Sequence, residues 1–334
     1  MPVRYGWLTR PLAFLMCLGC GVAAIIVLIE ALRPYGGTVQ PQRSDVAAPL
    51  AERANTPFPR IIRDASGASL VIPHKPQRII SQTLGTDEIL LAICAPQRLV
   101  ALSILVDDAD YSNVTAQAHL VKARANADAE QILALYPDVI FVASYSKAEL
   151  IELLQAARAP VFRFTHFDRL EDIKANIRTI GYAVGEDANA DALVQHMEHH
   201  LAQIQASLPK DRQPMRVLSY AQGGSTAGAH TLFDDMLQAV GVINLAAEQG
   251  LTGFRQISSE QLVRWNPDVI ISSADRDALP EARLQLLRDP AVAVTKAGKH
   301  QRVIVLPNHL FLTVTHHITQ GIEQLARELY DEPS

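Results

Sequence analysis

The chain has 334 residues, of which 49% are apolar and 19% charged, enough to bury a sizeable core in two globular units and too apolar for a disordered chain. Its formal net charge of -5 gives no electrostatic basis for binding nucleic acid. The three cysteines are Cys17, Cys20 and Cys94, so beyond the first segment only Cys94 remains and a disulfide framework is excluded.

Residues 1–33 read as an export or anchoring segment, because Arg4 and Arg10 precede an apolar run from Leu12 to Leu32 broken by Glu30. The run is long enough to span a bilayer, which suggests a retained anchor. Removal as a signal peptide and lipidation at Cys20 stay open, and all three place the rest of the chain outside the cytoplasm. Residues 34–59 read as a linker, with Gly36, Gly37, Pro41, Pro49 and Pro57 among polar residues.

A folded region then opens with a β-rich stretch over 60–72, turned at Asp64 to Gly67. Strands are expected at 78–81, 99–103, 139–143 and 161–164, with helices at 87–95, 129–135 and 147–157 between them. This alternation makes residues 60–168 a βα lobe on a parallel sheet. Residues 169–209 form an inter-lobe helical region. Ala190, Leu193, Met197, Leu201, Ile204 and Leu208 give it one apolar stripe at spacings of 3 and 4, which predicts a helix over 187–208. Residues 210–334 repeat the alternation, with strands at 216–220, 269–273 and 303–306 and helices at 232–240, 260–264, 279–287 and 315–330. The expected fold class is therefore α/β, with two βα lobes, a long backbone helix and a cleft between the lobes.

An internal repeat supports two equivalent lobes. The segment from Glu130 to Phe141, EQILALYPDVIF, aligns with EQLVRWNPDVII from Glu260 to Ile271, identical at six of twelve positions. Each copy is a short helix stopped before a proline, then a strand entered through Pro-Asp.

Ligands of open α/β sheets gather beyond the carboxyl ends of strands. In the first lobe this singles out Thr83, Asp87, Asp107, Asp108, Tyr111, Tyr145, His166 and Phe167. The second offers Tyr220, Gln222, Phe254, Arg255, Arg276, His309 and Phe311. Aromatic rings with polar tips suit a large flat ligand, and the arginines suit a carboxylate or phosphate. The competing reading of each is a surface-loop or turn residue. His166, His230, His309, His316 and His317 lack the spacing of a metal motif, and adjacent His316 and His317 would diverge by about 100° on a helix. His199 and His200 read as a solvated helix face. No resident cofactor or protein metal site is expected, and no nucleophile elbow, zinc-protease motif or Walker loop is present.

The order of Pro76-Gln77-Arg78-Ile79-Ile80-Ser81, the segment from Thr83 to Leu90, the two Glu-Gln…Pro-Asp-Val-Ile copies and the long helix resembles a known family. It is that of the helical-backbone periplasmic binding proteins, which serve ABC importers of ferric siderophores, haem and cobalamin. The resemblance implies a non-enzymatic solute-binding protein that holds an iron chelate or cobalamin-like molecule between its lobes. It also implies docking onto an ABC permease dimer through Glu130 and Glu260. The competing reading of those two glutamates is that each complements its helix dipole, which explains one Glu but does not require the symmetric pair. A transition-metal receptor, an extracytoplasmic enzyme and a sensory ligand-binding module remain the alternatives.

Overall fold

The computed structural model describes residues 57–64, 67–211, 213–221 and 223–330. The segment at 1–33 and nearly all of the linker at 34–59 lie outside them, and among the described residues no helix is long and apolar enough to cross a membrane.

The strands are β1 (Arg60–Arg63), β2 (Ser69–Ile72), β3 (Ile79–Ser81), β4 (Leu99–Ser103), β5 (Arg124–Ala125), β6 (Val139–Ala143) and β7 (Val161–Phe164). They continue with β8 (Arg216–Ser219), β9 (Ser225–Ala227), β10 (Ile243–Asn244), β11 (Phe254–Gln256), β12 (Val269–Ala274) and β13 (Val303–Pro307). Helices of five or more residues are α1 (Leu84–Ile93), α2 (Ala129–Leu133), α3 (Ala148–Ala156), α4 (Leu170–Val184) and α5 (Asp187–Ser207). After them come α6 (Leu232–Ala239), α7 (Ser259–Trp265), α8 (Leu279–Arg288) and α9 (Ile318–Tyr330).

Two parallel sheets share no strand. The first runs β5-β4-β3-β6-β7 and the second β10-β8-β12-β13, so the second reproduces four neighbouring strands of the first in the same order. Registers agree as well. Ile79, Ile80 and Ser81 pair with Val139, Ile140 and Phe141, while Val217, Leu218 and Ser219 pair with Val269, Ile270 and Ile271. All five residues of β6 are buried, as an apolar run in a parallel strand covered on both faces should be. Antiparallel ribbons, β1 with β2 and β9 with β11, sit apart from the parallel sheets.

The two copies of the repeat start and end alike. Asp128 caps α2, accepting the N–H groups of Glu130 and Gln131, and Ser258 caps α7, accepting that of Gln261. Each helix is followed by a residue in the left-handed region, Tyr136 at φ 46° and Asn266 at φ 52°. Asp138 then accepts the N–H of Arg78 at 2.9 Å, and Asp268 that of Arg216 at 3.0 Å, so each Pro-Asp ties its strand to the strand beside it.

Between the sheets the chain forms two helices rather than one. α4 ends at Gly185, whose φ of 70° lets the chain reverse, and α5 returns against α4. Their approach is close enough that a Cβ on Gly181 would lie 2.3 Å from the Cβ of Ala190. The turn is tied down by Glu186, which binds Arg98 at 2.6 Å and Lys75 at 2.8 Å. Arg60 adds to it, standing 4.7 Å from the ring centres of both Phe58 and Tyr182. Ala190, Val194, Met197 and Ile204 of α5 are buried, and the helix packs against both α1 and α9.

Candidate functional site

Several carboxylates and hydroxyls after the first-sheet strands are bound within their own half. Thr83 caps α1 and is buried. Asp87, fully buried, accepts the N–H of Ser103 at 3.1 Å and the Ser103 hydroxyl, tying α1 to the end of β4. Its burial outweighs those bonds and pushes the carboxyl up to about 7. Asp107 holds Arg124 bidentately at 2.6 Å, and this pairing keeps its carboxyl below the usual range. Asp108 accepts the N–H of Asp110 at 2.9 Å, the bond of a local turn.

The aromatic candidates of this half stand together. Tyr145 is 37% exposed, and its ring lies 5.6 Å from that of Phe167. Its hydroxyl points inward near Thr83, and burial pushes it up to about 12. His166 is exposed beside them, its Nδ1 3.1 Å from the Thr165 hydroxyl.

The two halves meet where the loop after β4 touches segments after β12 and β13. Asp110 Oδ1 accepts the N–H of Arg276 at 2.9 Å, and Asn113 Nδ2 donates to the carbonyl of His309 at 2.9 Å. Glu88, 1% exposed on α1, is the centre of this junction. One carboxylate oxygen accepts the N–H and Nδ2 of Asn113 at 2.9 and 3.0 Å. The other accepts the hydroxyls of Thr313 and Thr315 at 3.3 and 2.5 Å. Gly85 permits the approach, since a Cβ there would already be 3.0 Å from Val314 Cγ2.

Residues 308–317, opposite Glu88, carry the unsatisfied chemistry. Among the described residues, Asn308 Oδ1, His309 Nδ1, His316 Nδ1 and His317 Nε2 are buried without a hydrogen-bond partner. The rings of His316 and His317 lie side by side, centres 4.0 Å apart, because they precede α9 instead of opening it. Burial pushes His316 down to about 3 and also lowers His317, against which Glu88 pulls upward. Burial and Arg276 lower His309. These imidazoles are therefore favoured as neutral groups at pH 7, able to accept or donate a hydrogen bond.

The other second-half candidates do not gather at this junction. Tyr220 is buried in the core of its own half, and Phe311 packs on Phe233 at 5.7 Å. Phe254 and Arg255 lie exposed on β11, where Arg255 Nη1 donates to the Phe254 carbonyl at 2.8 Å. Gln222 lies outside the described residues. A cavity of about 340 Å³ lies elsewhere, between α5 and α9, lined in part by His200, Ile204, Glu323 and Arg327. His200 is not on a solvated face: it is 3.0 Å from the Thr319 hydroxyl and 3.2 Å from Glu323. Among the described residues no three His, Cys, Asp or Glu side chains converge so as to hold a bare metal ion.

Residues 79–310 match the model of a family described as periplasmic binding protein. The chain belongs to this family. Similar relatives include an uncharacterized ABC transporter substrate-binding lipoprotein, YvrC, of Bacillus subtilis (strain 168), 25% identical over 98% of this chain and 96% of its own. A cobalamin-binding protein of Halobacterium salinarum (strain ATCC 29341 / DSM 671 / R1) is 24% identical over 91% of this chain and 81% of its own. Among solved structures, the periplasmic heme-binding protein RhuT from Roseiflexus sp. RS-1 in apo form superposes with a TM-score of 0.64. It is 24% identical and covers 76% of this chain and 98% of its own.

This periplasmic binding protein presents Glu130 and Glu260 exposed, each in the first turn of the repeat's helix. The sequence marks Asn308 within the segment after the last strand but gives no mark to Glu88 or Asn113, and its reading sets His316 and His317 aside. No local signal marks Glu88, whose threonine partners lie 225 and 227 positions away. The His-His pair was the available signal, obscured by a helix expected from residue 315.

Proposed function

We propose that this protein is an extracytoplasmic binding component that carries an iron chelate, haem or a cobalamin-like molecule in a cleft between two lobes, built on the first and second sheets. It releases this cargo to an ABC permease. The observation that carries the reading is the set of four unpartnered buried polar atoms on residues 308–317, the segment that bonds Asn113 and Glu88 at the junction. Buried polar atoms without partners are rare, and four within ten residues fit a surface completed by a polar ligand. Neutral imidazoles at that place suit a metal centre brought in within a chelate, which needs fewer protein ligands than a bare ion. The Tyr145–Phe167 pair supplies apolar area for a flat ring system. Relatives that bind cobalamin or haem support the ligand class.

Glu130 and Glu260, exposed at corresponding places, would meet basic groups on the two permease subunits. Residues 1–33 would hold the protein to the membrane, and 34–59 would give it reach.

Isothermal titration of the purified protein with haemin, cyanocobalamin and ferric dicitrate tests the reading. One of the three binds with a Kd in the micromolar range or tighter, and a His316→Ala/His317→Ala double variant weakens it about tenfold. Absence of binding to all three would overturn it.

A further inference from the structure

The two copies of the repeat differ at one matched position in a way that packing does not explain. Tyr136 and Asn266 both adopt the left-handed backbone conformation just ahead of the proline. Asparagine tolerates that conformation, whereas bulky side chains are disfavoured there. Asn266 also acts locally, its Oδ1 accepting the N–H of Lys296 at 2.8 Å. Tyr136 makes no corresponding contact. The residue is 79% exposed, and among the described residues no hydrogen bond or ring contact involves its side chain. The backbone conformation does not depend on that ring. Arg78 clamps the turn from the main-chain side, donating to the Leu135 carbonyl at 2.8 Å and the Tyr136 carbonyl at 3.1 Å.

An unfavourable residue type at a site where it gains nothing within the chain is suited to a contact outside it. Exposed tyrosine is a residue type enriched at the energetic centres of protein interfaces. Its neighbourhood says which partner. Glu130 opens the five-residue α2 that Tyr136 follows by three residues, and such a helix is about 7.5 Å long, so the two exposed residues lie close enough for one partner to reach both. We infer that Tyr136 is an aromatic anchor for the permease, seated in an apolar notch beside the basic group that meets Glu130. This inference rests on the docking proposed for Glu130 and Glu260. It makes the two docking contacts unequal, with an aromatic anchor on the first half alone.

The test titrates the full-length protein against the permease–ATPase complex of its importer, reconstituted in lipid nanodiscs, by biolayer interferometry. Tyr136→Asn raises the Kd about tenfold, and Tyr136→Phe changes it less than about twofold. The asparagine variant unfolds at a temperature no lower than wild type, which separates lost contact from lost fold. Should Tyr136→Asn bind like wild type while Glu130→Arg/Glu260→Arg abolishes binding, the anchor is refuted and the docking reading survives. Should the double charge reversal also bind like wild type, or wild type fail to bind, the docking reading falls and the anchor with it.

Discussion

The two sides of the junction are built differently. On the first half, Asp87, Glu88, Asp107 and Asp108 all have partners, and Glu88 directs its four bonds to Asn113, Thr313 and Thr315. On the second half, the stretch from Asn308 to His317 leaves four buried polar atoms without any. Acidic residues thus serve as joints on one side, while on the other His309, His316 and His317 each have a buried ring nitrogen without a protein partner. A satisfied buried carboxylate stiffens the fold, and an unsatisfied neutral ring keeps capacity for a ligand while lowering stability.

Glu88→Ala should be the most damaging single change, because it leaves the backbone N–H of Asn113 without its acceptor and takes the shared acceptor from the Asn113 side-chain amide and two buried threonine hydroxyls, which keep only His309 and each other. Urea denaturation should show a loss of about 3 kcal/mol. An unchanged midpoint would mean that the halves are not joined through this group. Asp87→Asn should change the pH dependence instead. The Asp87 carboxyl is raised to about 7 in the fold from its ordinary value of 3.8, so between those values the folded state binds the extra proton. The wild-type protein therefore loses stability as pH rises, by about 2 kcal/mol from pH 5 to 7, and the variant lacks this component. Equal slopes in urea melts at pH 5, 6 and 7 would refute it. Asp107→Ala should matter least, costing about 0.5 kcal/mol, since this carboxylate is 46% exposed, water screens its pair with Arg124, and Arg124 keeps the carbonyls of Ala118, Val121 and Ala123. A loss of several kcal/mol would show that this loop, too, is a joint.

Much of the frame was legible because buried parallel strands are short continuous apolar runs. The strands at 99–103, 139–143 and 161–164 are found at those bounds. α1 begins three residues earlier than expected, at Leu84, since Thr83 supplies the cap and Asp87 lies inside the first turns. α4 is harder to read, although Ile173, Ile177, Ile180 and Val184 recur at helical spacing. Glu171, Asp172, Lys174 and Arg178 dilute that stripe, and Gly181 counts against a helix until its contact with Ala190 is known. The site was less legible than the frame. Loop residues of the right type were named, but which of them are already bound depends on partners far away in sequence. Asp107 and Arg124 are 17 positions apart, while Asp110 and Arg276 are 166 apart. Local pattern carries no record of such pairs.

The aspartates that enter β6 and β12 have a consequence for sorting related chains. Because the Asp138 and Asp268 carboxylates fasten neighbouring strands by accepting main-chain N–H groups, the aspartate of each Pro-Asp-Val-Ile copy serves the scaffold. Under the function proposed above, chains sharing it can differ in what they carry, and classification by cargo should weigh the stretch after the last strand of the second sheet. A graft of that stretch between two such scaffolds, with both aspartates retained, would transfer selectivity while leaving the framework intact.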